Sequence, residues 1–157
     1  MANVEDVAQA FRPSGALLQA ETTLAQAIEL HAVASTGVNA TTVDLLVRLH
    51  LSPGQRLRGV DLCRQLLKSP GYVSRLIDQA EEDGLVAREP DPTDRRAQQI
   101  TLTAGGEEIL DTFVPNAIDV LQETIYTALE PEEIETLIDL LVRLTKATQT
   151  FLESENP

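Results

Sequence analysis

Apolar positions recur at helical spacing through most of this chain and turn to strand-like runs only near its middle. From Ser14, a residue type suited to capping a helix start, Leu17, Leu24, Ile28 and Ala32 mark one face until Gly37. Residues 1–13 show no clear period and are expected to form a flexible N-terminus. Asn39 can cap a second helix carrying Val43, Leu46, Val47 and His50, which Pro53-Gly54 closes. Leu62 and Leu66 then share a stripe, and Ser69-Pro70 supplies an N-cap followed by proline at the first helical position of a further helix. In that helix Val73, Leu76, Ile77 and Ala80 face inward until Gly84 provides a left-handed cap.

The period then changes. Residues 85–89 and 97–102 read as two short strands joined by a tip with two Asp/Pro pairs, and residues 55–58 can add a third strand beside them. Thr103 caps a long helix with Leu110, Phe113, Ala117, Leu121, Ile125 and Ala128 on one face; Pro115 inside it removes one donor and predicts a bend. Glu130-Pro131-Glu132-Glu133 opens the last helix with acid at its dipole-positive end, and Ile134, Leu137, Leu141, Leu144 and Phe151 form its stripe. Two short helices, a tight turn and a hairpin make a winged helix-turn-helix. The expected fold is therefore mainly α with a small β-hairpin wing, the winged module occupying 39–103 between helical regions at 14–38 and 104–157.

Chemistry enters at the module's outer surfaces. Arg95 and Arg96 stand at the downstream edge of the hairpin tip, and a narrow hairpin of this kind suits the negative potential of a DNA minor groove. A solvated surface hairpin accounts for the same charges. The helix ahead of it shifts the balance, because Gly71, Tyr72, Ser74 and Arg75 lie on its outer N-terminal face, where a recognition helix meets the major groove.

The run Asp94-Arg95-Arg96-Ala97-Gln98-Gln99-Ile100-Thr101-Leu102-Thr103, following Gly84-Leu85-Val86, resembles the D-x-R-x5-L-T signature of MarR-type transcription factors. The likeness extends over roughly residues 14–152 and is most specific between 59 and 103. It implies a homodimer joined by helices from both chain ends, a pseudo-palindromic double-stranded DNA operator, and release by a small-molecule effector, aromatic ones included. It also implies a recognition set of Ser69, Gly71, Tyr72, Ser74 and Arg75, and a wing in which Asp94 braces Arg96 while Arg95 and Arg96 reach the minor groove. One departure stands out: the family usually has glycine followed by an apolar residue in the helix-turn-helix turn, where this chain has Leu67-Lys68. Leucine tolerates positive φ poorly, so the expectation is a differently shaped turn with Leu67 plugging the core.

Charge complicates the picture. The net charge is −13, which is unusual for a DNA-binding protein. Residues 52–103 carry eight basic and eight acidic side chains and are neutral, so the entire imbalance lies in the flanking arms. The arms' apolar stripes fit either an intramolecular bundle or an intertwined dimer interface, and operator symmetry favours the dimer.

The remaining candidate chemistry is sparse. A single cysteine, Cys63, excludes an intrachain disulfide and reads as a small core hydrophobe. His31 and His50 lie near apolar helix faces; with Phe113, and Tyr126 nearby, they are candidates to line an effector pocket, and hydrogen-bonded boundary residues otherwise. Two histidines without i, i+4 spacing, even with Glu29 close to His31, make a poor metal set, so no metal or other cofactor is expected. No nucleophile, base and orienting group stand at a recognisable spacing, which argues against an enzyme. With no long apolar run or leader pattern, the expectation is a cytoplasmic protein without a membrane partner. The competing reading is a DNA-silent relative acting through protein–protein contacts. Arginine at both groove-reading places favours the DNA-binding one.

Overall fold

The computed structural model describes residues 4–91, 94 and 97–155. Among the described residues, six helices and three strands follow in the order α1 (Val4–Thr36), α2 (Ala40–Leu51), β1 (Arg56–Arg58), α3 (Gly59–Leu66), α4 (Pro70–Glu82), β2 (Val86–Pro90), β3 (Gln98–Leu102), α5 (Ala104–Ala128) and α6 (Pro131–Glu155), with a 3-10 turn at Pro53–Gln55 before β1. The architecture is the mainly helical winged helix-turn-helix that the periodicity predicts. By compactness the chain forms two units, Met1–Ala117 and Ile118–Pro157, with α5 running from the first into the second.

Capping explains most boundaries in the first unit. Gly37 ends α1 with φ +72°, its N–H donating to the Val33 carbonyl at 3.0 Å. Asn39 opens α2 by accepting from the Thr42 N–H at 3.0 Å, and the Glu29 carboxylate on α1 accepts from the Ala40 N–H at 2.7 Å, so two acceptors serve one helix start. Ser69 accepts from the Tyr72 N–H at 3.4 Å with Pro70 opening α4, as the sequence predicts.

Two expectations are corrected. Residues 4–13 are not set apart from the first helix: they belong to α1, which runs on through Pro13. Ser14 does not cap; its hydroxyl donates to the Phe11 carbonyl at 2.9 Å. A proline removes one donor from a helix, and the good helix formers around it, including Ala8, Gln9 and Ala16, sustain the turns on either side. The second correction concerns the helix-turn-helix turn. Leu67 does adopt the left-handed conformation, φ 53° and ψ 39°, and its side chain is 71% exposed; Leu66, buried, supplies the core contact instead. The turn keeps the geometry that glycine would adopt, because the Leu67 and Lys68 N–H groups must both reach the Cys63 carbonyl to close α3.

The core joins α2, α3 and α4 to the sheet and α5 through Leu45, Leu49, Leu62, Val73, Ile100 and Leu110. The antiparallel sheet has the order β1-β3-β2, with Leu57 opposite Ile100 and Arg88 opposite Ile100 on the other side. The strand returning from the wing tip is therefore the central one. Thr103 fastens this return to the end of α4: its hydroxyl donates to the Gly84 carbonyl at 2.7 Å and accepts from the Gly106 N–H at 3.2 Å. The packing is so close here that a Cβ on Gly106 would lie 2.3 Å from the Leu85 carbonyl oxygen.

In the second unit, Pro131 opens α6 and the Glu133 carboxylate reaches back to accept from the Glu130 N–H at 2.9 Å. Leu137, Ile138, Leu140, Leu141, Leu144 and Phe151 are exposed along α6. No described helix is long and apolar enough to cross a membrane.

Candidate nucleic-acid interface

The residues expected to form a recognition set come together on one exposed surface. Val73, Ile77 and Ala80 bury one side of α4, and 3.6-residue periodicity therefore turns Gly71, Ser74 and Arg75 outward beside Ser69 and Tyr72. Tyr72 is 39% exposed, with the Lys68 ammonium 5.8 Å from its ring centroid, within cation–π range. The Arg75 guanidinium donates through Nε to the Gly71 carbonyl at 3.2 Å, which holds the side chain along the outer N-terminal turn.

A staple fixes how α4 lies against the wing. Arg88, on β2, pairs with Asp78 and Glu81 of α4, and Glu81 also accepts from the Arg88 backbone N–H at 3.1 Å. Burial by itself would lower the pKa of this guanidinium; hydrogen bonds to Asp78 and Glu81 outweigh it and the pKa is raised. Asp78 is half exposed, so the staple's value lies more in geometry than in stability.

At the base of the wing tip sits a group that sequence reading missed. The Asp91 side chain is fully buried, and its carboxylate accepts from Arg58 Nε at 2.6 Å, Gln99 Nε2 at 2.9 Å and the Asp94 N–H at 3.1 Å. The hydrogen bond to Asp91, and then the charge of that carboxylate, raise the pKa of the Arg58 guanidinium. The local part of this arrangement, an aspartate accepting from a nearby turn N–H, is a common side-chain-to-backbone pattern, but the burial against Arg58 leaves no local signal. Asp94 itself is exposed. Arg95 and Arg96, and with them the expected Asp94–Arg96 brace, lie outside the described residues.

The effector-pocket candidates are dispersed. His50 lines a groove of about 430 Å³ with Val47, Leu51, Leu110, Asp111, Val114 and Pro115, and its Nδ1 lies 3.4 Å from Gln55 Nε2. Phe113 is buried in the core and His31 is exposed on α1; neither lines that groove. Tyr126 is 62% exposed in the second unit. Cys63 is half-buried against the core. Among the described residues no group of three or more His, Cys, Asp or Glu side chains could hold a metal ion.

Comparison with known proteins agrees with this geometry. A family model described as "MarR family" matches residues 36–97. An uncharacterized HTH-type transcriptional regulator, YkoM of Bacillus subtilis, is 32% identical over 117 residues, covering 74% of this chain and 73% of its own. A crystal structure of a MarR family transcriptional regulator from Streptomyces coelicolor in complex with DNA superposes with a TM-score of 0.81 at 26% identity, covering 94% of this chain and 90% of the other. The structure of AbsC, also a MarR family regulator from Streptomyces coelicolor, gives 0.83 at 24% identity over 96% and 99% of the two chains, a likeness of fold.

Proposed function

The chain belongs to the MarR family, whose proteins are transcriptional regulators rather than enzymes, and from that premise we propose that it is a homodimeric repressor that binds a pseudo-palindromic DNA operator and leaves it when a small molecule binds. The exposed N-terminal face of α4 carries this reading. A capped helix start, buried on one side and stapled to the wing through Arg88, presents Ser69, Gly71, Tyr72, Ser74 and Arg75 together, and this is a shape and chemistry suited to base edges in a major groove. Arg95 and Arg96 at the wing tip serve the minor groove. The exposed leucines Leu17 and Leu18 on α1, and Leu137, Leu141 and Leu144 on α6, support a partner of the same chain. The groove at His50 is the place for the effector: its lining is mostly apolar, with an imidazole and the Asp111 carboxylate as polar handles.

Titration of the Arg95→Ala/Arg96→Ala and Arg75→Ala proteins against an operator, at matched salt, tests the reading. Each loss is expected to weaken binding by about 1–3 kcal/mol per protomer, Arg75→Ala with relaxed base preference and the wing variant with a smaller salt dependence. Wild-type affinity for both would remove the assigned roles, and no sequence-specific binding by the wild type would favour a DNA-silent regulator acting through protein contacts.

A further inference from the structure

The buried Asp91 carboxylate lies where it cannot touch DNA, yet it holds the segment that leads to Arg95 and Arg96. A carboxylate removed from water is tolerated only when its lone pairs are filled. Oδ2 is filled by Arg58, the last residue of β1, and by Gln99 on β3; Oδ1 is filled by the backbone N–H of Asp94, in the tip. The Asp91 N–H donates to the Ala97 carbonyl at 3.0 Å, and the Ala97 N–H donates to the Asp94 carbonyl at 2.9 Å. One side chain thus ties Asp94 to both β1 and β3, within the sequence segment that carries the two arginines.

We infer that Asp91 is a positioning residue for DNA binding: it ties Asp94 to Arg58 and Gln99, so that the base of the wing, on both sides of the sequence segment carrying Arg95 and Arg96, is already held in the free protein. The inference rests on the DNA-binding reading above. It assigns Arg58 to the wing base as the counter-charge of Asp91. Pre-arrangement matters because a tip that must be ordered on binding loses affinity to conformational entropy.

Asp91→Asn tests this with nearly the same volume. The amide must turn an N–H toward Arg58 and Gln99 or toward the Asp94 N–H, so one donor always faces another donor. The full-length protein is titrated against its operator and against the same operator with the minor groove under the wing blocked by 2,6-diaminopurine substitution, which adds an amino group there. For Asp91→Asn, affinity for the unmodified operator is expected to fall on the order of tenfold. The variant and wild type should converge on the blocked operator, where wing contact is already lost. Arg58→Lys, which keeps the charge but loses the Nε–H geometry, carries the same test through the partner if the asparagine protein does not fold. Equal loss on both operators would make Asp91 merely structural and overturn the inference, as would wild-type affinity on the unmodified one. Failure of the wild type to prefer any operator would instead overturn the DNA-binding reading.

Discussion

Leu67 shows how a single residue can be misread for a sound reason. Positive φ is costly for a β-carbon, so the chain was expected to avoid it; the α3 terminus requires it, and an exposed leucine bears the strain. Leu67→Gly should therefore raise stability by about 0.5–1 kcal/mol, the relief of strain outweighing the extra freedom glycine gains when unfolded. A higher denaturant midpoint at unchanged m-value checks it; a lower midpoint would mean that Leu67 makes contacts the turn needs. Around it, Ser69, Tyr72, Ser74 and Arg75 were legible because cap chemistry and a 3.6-residue period fix which way they face. Asp91 was not, since its burial depends on Arg58, 33 residues earlier in the chain, and no local pattern reveals that pairing.

At the scale of elements, the helices and the two wing strands follow from periodicity and punctuation, and the strand limits differ by one residue or so from the sequence expectation. The order β1-β3-β2 was only partly legible: a third strand beside the wing was expected, but which neighbour it joins is decided by the fold. Glu29 is a similar case. Considered as a weak companion for His31, it in fact caps α2 across the α1–α2 junction. Gly106 marks a close approach between elements, where the start of α5 passes the Leu85 carbonyl and Leu102. Gly106→Ala should cost about 3 kcal/mol through overpacking, because the nearest atom is backbone and cannot swing aside. Thermal unfolding would show it as a Tm several degrees lower, whereas an unchanged Tm would mean that α5 shifts freely at this point.

The whole molecule is governed by charge and by the apolar faces of its terminal helices. Along the sequence the winged module is neutral and the arms acidic, a division readable from composition alone. On the proposed reading, repulsion from the arms acts on any duplex, while contacts by Tyr72 and Arg75 act only at the operator. Changing Glu132, Glu133 and Glu135 to glutamine should therefore raise affinity for random DNA more than for operator at low salt, where screening is weakest. Equal shifts on both DNAs would reduce the arms to a uniform background field. The exposed stripe of α6, with Leu137, Leu141, Leu144 and Phe151, predicts that full-length protein sediments as a dimer at micromolar concentration and that removal of residues 131–157 abolishes dimerisation. A stable full-length monomer would contradict that. The periodicity displayed the stripe, but a bundle and a dimer use the same pattern, which is why the sequence left both open.

The central claim is that two copies of this chain read DNA as a symmetric pair, with α4 in the major groove. Selection of bound duplexes from a random pool by the full-length protein tests it most directly, since sequence preference and symmetry are read from one set of enriched sites. The account predicts a pseudo-palindrome whose half-sites lie about one helical turn apart, on the order of 10 base pairs centre to centre, or a multiple of it. Enrichment of no sequence, or of a single unpaired half-site, would contradict it.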